Sequence, residues 1–342
     1  MFIRDPYWKT MRLGKRYRVA IVALSLSLVA SWTLQRYLYG TRLNAVHAGQ
    51  NLESTSDLVE TLAHNVSQRA TTADTAEFFR WYEFRGFEQN PNERNMVVKV
   101  IIGVWVMVQN ALIALDKNEL DPSFLRYFAR NNIWTVQPVL RSILVTMGMP
   151  DFEEERQCLG TIPKLEIWYG SAPSGVDRCD RPLDMQPLGF RHSYKDQNGQ
   201  WREYVMFCDA YYRTYRSYDD VKCTELGTDS TPIGFSNGIW SASMVTLHEL
   251  LHWKALTKAA ADGLDIRDQI ITRPDNGEQT KCYDPFYSKA LMDWNTKIPP
   301  TTNIDNYVSF VTEAFYTFLC PNKEPWKDPV DPKDVFPVSS EQ

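Results

Sequence analysis

The chain has 342 residues, is 44% hydrophobic and carries a formal net charge of −5. That length can bury a substantial core and suggests one large or two ordinary domains. The mildly acidic balance argues against nucleic acid as a partner, since phosphate binding wants a basic surface. Neither a G-x-x-x-x-G-K-S/T loop nor a G-x-G-x-x-G run is present, so a nucleotide enzyme is not expected.

Arg4, Lys9, Arg12, Lys15, Arg16 and Arg18 precede an apolar run from Val19 to Leu34. A basic segment followed by an apolar one is the pattern of a signal peptide, here with Ala30-Ser31 as a cleavage site, or of a short signal anchor. In the anchored case residues 1–40 hold a cytoplasmic tail and a single span, with the rest of the chain outside the cytosol. Export also suits the six cysteines, Cys158, Cys179, Cys208, Cys223, Cys282 and Cys320. They are even in number, contain no C-x-x-C pair, and read as disulfides formed in an oxidising compartment. Asn65-Val66-Ser67 is a glycosylation sequon that agrees with export.

Residues 41–75 read as a helical linker or pro-segment. The aromatic cluster Phe78, Phe79, Trp81 and Tyr82 opens a packed domain expected over 76–320. Val97 to Leu115 nearly has the length of a membrane span, but Lys99, Gln109 and Asn110 interrupt it and no basic flank precedes it, which favours a core helix. Asp121 to Met147 has apolar residues at helical spacing. Leu165 to Tyr169 and Tyr204 to Cys208 read as strands, separated by a Gly/Pro/Asp-rich loop or hairpin over 170–200. A loop is expected over 224–240, an amphipathic helix over Ile304 to Leu319, and a Pro-rich disordered tail over 321–342. A helical first half and a strand-containing second half give an α+β class.

His248-Glu249-Leu250-Leu251-His252 is the most informative stretch, since the chain has only five histidines. The H-E-x-x-H spacing on a helix puts two imidazoles on one face. Two neutral imidazoles suit a zinc ion, and the adjacent carboxylate can act as general base toward a water that attacks a carbonyl. The apolar residues Met244, Val245, Leu247, Leu250, Leu251 and Trp253 around the motif make it a buried helix, where unpartnered polar groups are costly. No histidine follows His252, so the third ligand is expected to be a carboxylate: Asp262, Asp265, Asp268 or the distant Glu313.

With the H-E-x-x-H helix, the aspartate cluster, Tyr283-Asp284-Pro285 and Asn303-Ile304-Asp305-Asn306-Tyr307 in that order, the chain resembles the deuterolysin-type metallopeptidases, or aspzincins, which include fungal lysine-specific metalloendopeptidases. The resemblance implies a mostly helical zincin-like domain with a small sheet. It also implies an aspartate as third zinc ligand, with Asp268 favoured over Asp265 and Asp262. Tyr283 would stabilise the oxyanion, and Asp305 would meet substrate, cap the last helix or support the site. The chain departs from the family pattern in having Asp284 where glycine is expected, and in an insertion between the aspartates and Tyr283. The expected activity is zinc-dependent endopeptidase action on a protein or peptide substrate, secreted or membrane-tethered. The alternatives are a catalytically inactive binding protein of the same fold, and an anchored structural protein with an incidental motif.

Overall fold

A computed structural model of the chain describes residues 79–116, 121–147, 159–160, 162–175, 178–214, 241–294 and 296–320, all within one compact unit, Ser54–Gln342. The basic and apolar N-terminal segments, the sequon, the 41–75 segment, the 224–240 loop and the tail lie outside the described residues.

Strands β1 (Tyr82–Arg85), β2 (Leu165–Trp168), β3 (Gly189–Lys195) and β4 (Trp201–Phe207) form one sheet in the order β1-β2-β4-β3. The β1–β2 and β2–β4 pairs are parallel, whereas β3 runs antiparallel to β4 and occupies an edge. Successive side chains of a strand face opposite ways. Val205 and Phe207 accordingly join the main core, while Tyr204 and Met206 join a smaller cluster with Phe190 on the other face. The Cys179–Cys208 disulfide ties the 170–188 segment to that second face. Cys320 is disulfide-bonded as well, whereas Cys282 is a buried free thiol, so the cysteines are not all paired.

The main core is helical. Helix α1 (Pro91–Leu115) is long and apolar enough to cross a membrane by length and composition. Here Val97, Ile101, Val104, Met107, Val108 and Ala111 are buried in the main core. The helix lies against α3 (Ile133–Thr146), α5 (Ala242–Leu251) and α8 (Ile304–Leu319). The stretch expected to be helical from Asp121 to Met147 is divided into α2 (Pro122–Tyr127), a short 3-10 turn and α3. Phe128 breaks it by adopting an extended conformation, φ −142° and ψ 145°. That bend lets Phe124 and Phe128 stack at 5.3 Å and both meet Phe310 of α8 edge-on. The remaining elements are α4 (Asp209–Thr214), α6 (Lys254–Ala260), the hairpin β5 (Ile270–Thr272) with β6 (Gln279–Lys281), and α7 (Asp284–Asp293). Mixed helix and small sheet make this an α+β fold.

Candidate metal centre

Helix α5 carries the motif. Its N-cap Ser241 accepts a hydrogen bond from the Met244 amide at 3.3 Å, which satisfies one of the amides a helix start leaves free. Nearly every residue of α5 is buried, including Glu249. His252 falls just past Leu251 but keeps helical angles, φ −72° and ψ −11°, so the four-residue spacing still places both imidazoles on one side. Their Nε2 atoms are 3.2 Å apart.

Asp268 completes the group. Its Oδ1 lies 3.3 Å from Nε2 of His248 and 3.3 Å from Nε2 of His252. The three atoms form a nearly equilateral triangle that could hold a metal ion. Asp268 Oδ1 is buried and accepts no hydrogen bond, as does Glu249 Oε2. Converging lone pairs of this kind, left unsatisfied inside a protein, are costly unless a cation gathers them. Burial would raise the Asp268 carboxyl, but the two imidazoles hold it well below the usual carboxylate range. Burial raises Glu249 above its ordinary value, a shift the two imidazoles oppose.

Tertiary contacts explain how Asp268 arrives there. After α6 the chain turns through Asp262 (φ 49°) and Gly263 (φ 83°), with the Gly263 amide on the Lys258 carbonyl at 2.8 Å. Arg267 then pairs with the segment before α8: its amide donates to Thr302 at 2.9 Å and its carbonyl accepts from Ile304 at 3.3 Å. Asn303 clamps both ends of the inserted hairpin. Its Oδ1 accepts from the Gln269 amide at 3.2 Å and its Nδ2 donates to the Cys282 carbonyl at 3.1 Å. Asp262 is exposed in the turn, and Asp265 is 3.9 Å from Lys254 and 3.6 Å from Arg267, so neither joins the cluster. Glu313 lies elsewhere, accepting from Arg126 at 3.0 Å and from the Tyr127 hydroxyl at 2.9 Å.

Asp305 is not placed to meet substrate. It is buried, and both carboxylate oxygens are occupied: Oδ1 by His248 Nδ1 at 2.6 Å and Oδ2 by the Asp284 amide at 2.8 Å. Nor does it cap α8, whose N-cap position, Asn303, has no side-chain capping bond because its amide is spent on the clamp. A carboxylate behind a ligating imidazole fixes the ring's tautomer and leaves Nε2 free to bind metal. Burial disfavours a charged His248, but Asp305, Asp268 and Glu249 outweigh it and carry the imidazole well above its ordinary value.

Tyr283 stands beside the centre. Its hydroxyl donates to Asp268 Oδ2 at 2.8 Å, and its ring meets His248 edge-on at 5.7 Å. Burial and the neighbouring Asp268 raise its phenol well above the ordinary value. Asp284, where the resemblance expects glycine, has φ 67°, the left-handed conformation glycine favours. Its Oδ1 accepts from the Tyr287 amide at 3.1 Å and so caps the start of α7.

Gly189, at the start of edge strand β3, is a residue the sequence did not mark. A Cβ built there would lie 3.3 Å from Glu249 Cγ and 3.1 Å from Phe207 Cδ1. Glycine at this position therefore leaves room for the Glu249 side chain. No family model and no curated protein matches this chain.

Proposed function

We propose that the protein is a zinc-dependent endopeptidase of the aspzincin type, with His248, His252 and Asp268 as zinc ligands. The observation that supports this most is the triangle of ligand atoms next to a buried, unpartnered glutamate. A four-coordinate zinc with bonds of about 2.0–2.1 Å separates its ligands by roughly 3.3–3.4 Å. The triangle's edges are 3.2, 3.3 and 3.3 Å. Two imidazoles and one carboxylate are also a donor set zinc favours, leaving the fourth position open.

When bound, the ion supplies a Lewis acid that acidifies water and polarises a carbonyl. Glu249 takes the proton of the attacking water at its unpartnered Oε2 and returns it to the leaving amine. Its raised pKa brings it closer to the working range of such a base. Asp305 orients His248, and Tyr283, whose one hydroxyl proton goes to Asp268 Oδ2 at rest, would have to turn that donor to a developing oxyanion in the reaction. Edge strand β3 lies beside α5 and, among the described residues, pairs on one side only, which suits an extended peptide chain.

The test compares the zinc-loaded protein with its Glu249→Gln variant on an unfolded protein substrate, with fragments mapped by mass spectrometry. Cleavage by the native chain, and at least about a hundred-fold less by the variant at equal zinc content, supports the proposal. Equal inertness of both at full zinc occupancy favours the alternative, a binding protein that has lost its activity.

A further inference from the structure

Asp268 and Tyr283 are separated by the β5–β6 hairpin, and the last residue of β6 brings a cation to the site. Lys281 Nζ lies 3.2 Å from the Tyr283 hydroxyl and 4.9 Å from the centre of its ring. The same hydroxyl donates to Asp268 Oδ2 at 2.8 Å, so the ammonium stands two hydrogen bonds away from a candidate ligand carboxylate. Among the described residues Lys281 makes no ion pair. The nearby cations do: Lys254 and Arg267 share Asp265, and Arg273 holds Asp275.

A phenol oxygen engages only one of the three donors of an ammonium. Lys281 is exposed, and Ile270 sits directly across from it in the hairpin, 54% exposed. Cross-strand partners project from the same face. An unpaired ammonium and a branched aliphatic group thus stand side by side near the candidate metal centre. Of the acidic groups there, Asp268 faces the imidazoles and accepts from Tyr283, Asp305 serves His248 and the Asp284 amide, and Glu249 is buried beneath the cluster on α5.

We infer that Lys281, backed by Ile270, determines substrate specificity by taking a carboxylate close to the scissile bond. That carboxylate belongs either to an Asp or Glu side chain or to the peptide's own C-terminus, the second making the cleavage that of a carboxypeptidase instead of an endopeptidase. The methylenes of a Glu lie along Ile270 while its carboxylate meets the free donors of Lys281. A lysine at the same substrate position meets like charge. The inference rests on the peptidase reading, so its test uses binding as well as cleavage.

The probes are labelled short peptides of alanine and glycine with one central Glu, Gln or Lys, each with a free or amidated C-terminus. Fluorescence anisotropy measures their binding to the zinc-loaded Glu249→Gln protein, and to the same protein with Lys281→Glu or Lys281→Met added. The Glu peptide is expected to bind about five-fold more tightly than the Lys peptide, the upper range for a solvent-exposed ion pair. Lys281→Glu reverses the order, Lys281→Met abolishes it, and the amidated Gln peptide changes by less than about two-fold. A Glu-over-Lys preference that persists on amidation assigns the site to the side-chain carboxylate; a Lys281-dependent loss of affinity for the Gln peptide on amidation, without that preference, assigns it to the C-terminal carboxylate. Charge or amidation effects that are the same with and without Lys281, or the absence of both in its presence, overturn the inference. Failure of the peptidase reading alone looks different: the native chain leaves every peptide intact, while the preference in binding still depends on Lys281.

Discussion

Replacing Asp305 with asparagine is expected to weaken metal binding without unfolding the protein. The carboxylate serves two donors, His248 Nδ1 at 2.6 Å and the Asp284 amide at 2.8 Å. Asparagine has the same shape but only one acceptor oxygen. If that oxygen keeps the Asp284 amide, the side-chain NH2 faces His248, whose proton must move to Nε2. The Nε2 lone pair then no longer points at the cluster. If the oxygen turns to His248, the Asp284 amide loses its acceptor inside the protein, at a cost of about 1–3 kcal/mol. Both routes agree with the ten- to hundred-fold loss, about 1.4–2.7 kcal/mol, typical of removing such support from a ligating histidine. Competition against a chromophoric zinc chelator at fixed pH measures the effect, with circular dichroism reporting the fold. A folded Asp305→Asn protein that binds zinc within about two-fold of the native chain would refute this account of Asp305.

Gly189→Ala places a methyl group 3.3 Å from Glu249 Cγ; kcat should fall by about ten-fold or more at unchanged zinc content, because a general base must keep its position. Tyr283→Phe should lower kcat by about a hundred-fold while zinc affinity drops less than ten-fold; a larger drop in affinity would assign the phenol wholly to the support of Asp268. Glu313, buried beside Arg126 and Tyr127, has its carboxyl pushed up from 4.5 to about 7, chiefly by burial. The folded state therefore binds the extra proton between those values, and stability should fall by about 3 kcal/mol as pH rises through that window, then level off. Urea unfolding across the range should show this slope, flattened in Glu313→Gln.

What could be read from the sequence was local. The four-residue spacing of His248 and His252 needs only one helical turn, and the bounds of α8 follow its apolar period from Ile304 to Leu319. Strand β2, with Glu166 as its one charged residue, and the Tyr204–Phe207 part of β4 stand out as runs of aliphatic and aromatic residues. Helix α1 begins at Pro91, earlier than its apolar stretch, because Pro91 and Glu93 are start signals on turns that stay mostly outside the core. The break at Phe128 was not legible, since both helical halves share one spacing and only the contacts with α8 demand the bend. The β5–β6 hairpin has strands of three residues, too short for a period, although Asn276-Gly277 in its turn is a recognised hairpin signal. The choice among Asp262, Asp265 and Asp268 depended on the pairing of Arg267 with Asn303, across thirty-six positions of sequence that no local pattern spans. The same holds for Asp305, whose partner His248 is 57 residues away.

The central claim is that His248, His252 and Asp268 hold one catalytic zinc. Its most direct test is elemental analysis of the purified native chain beside Asp268→Ala, both dialysed from excess zinc under identical conditions. The expected result is close to one zinc per native chain and less than about a tenth of that in the variant. A native chain without zinc, or a variant that keeps its full complement, would contradict it.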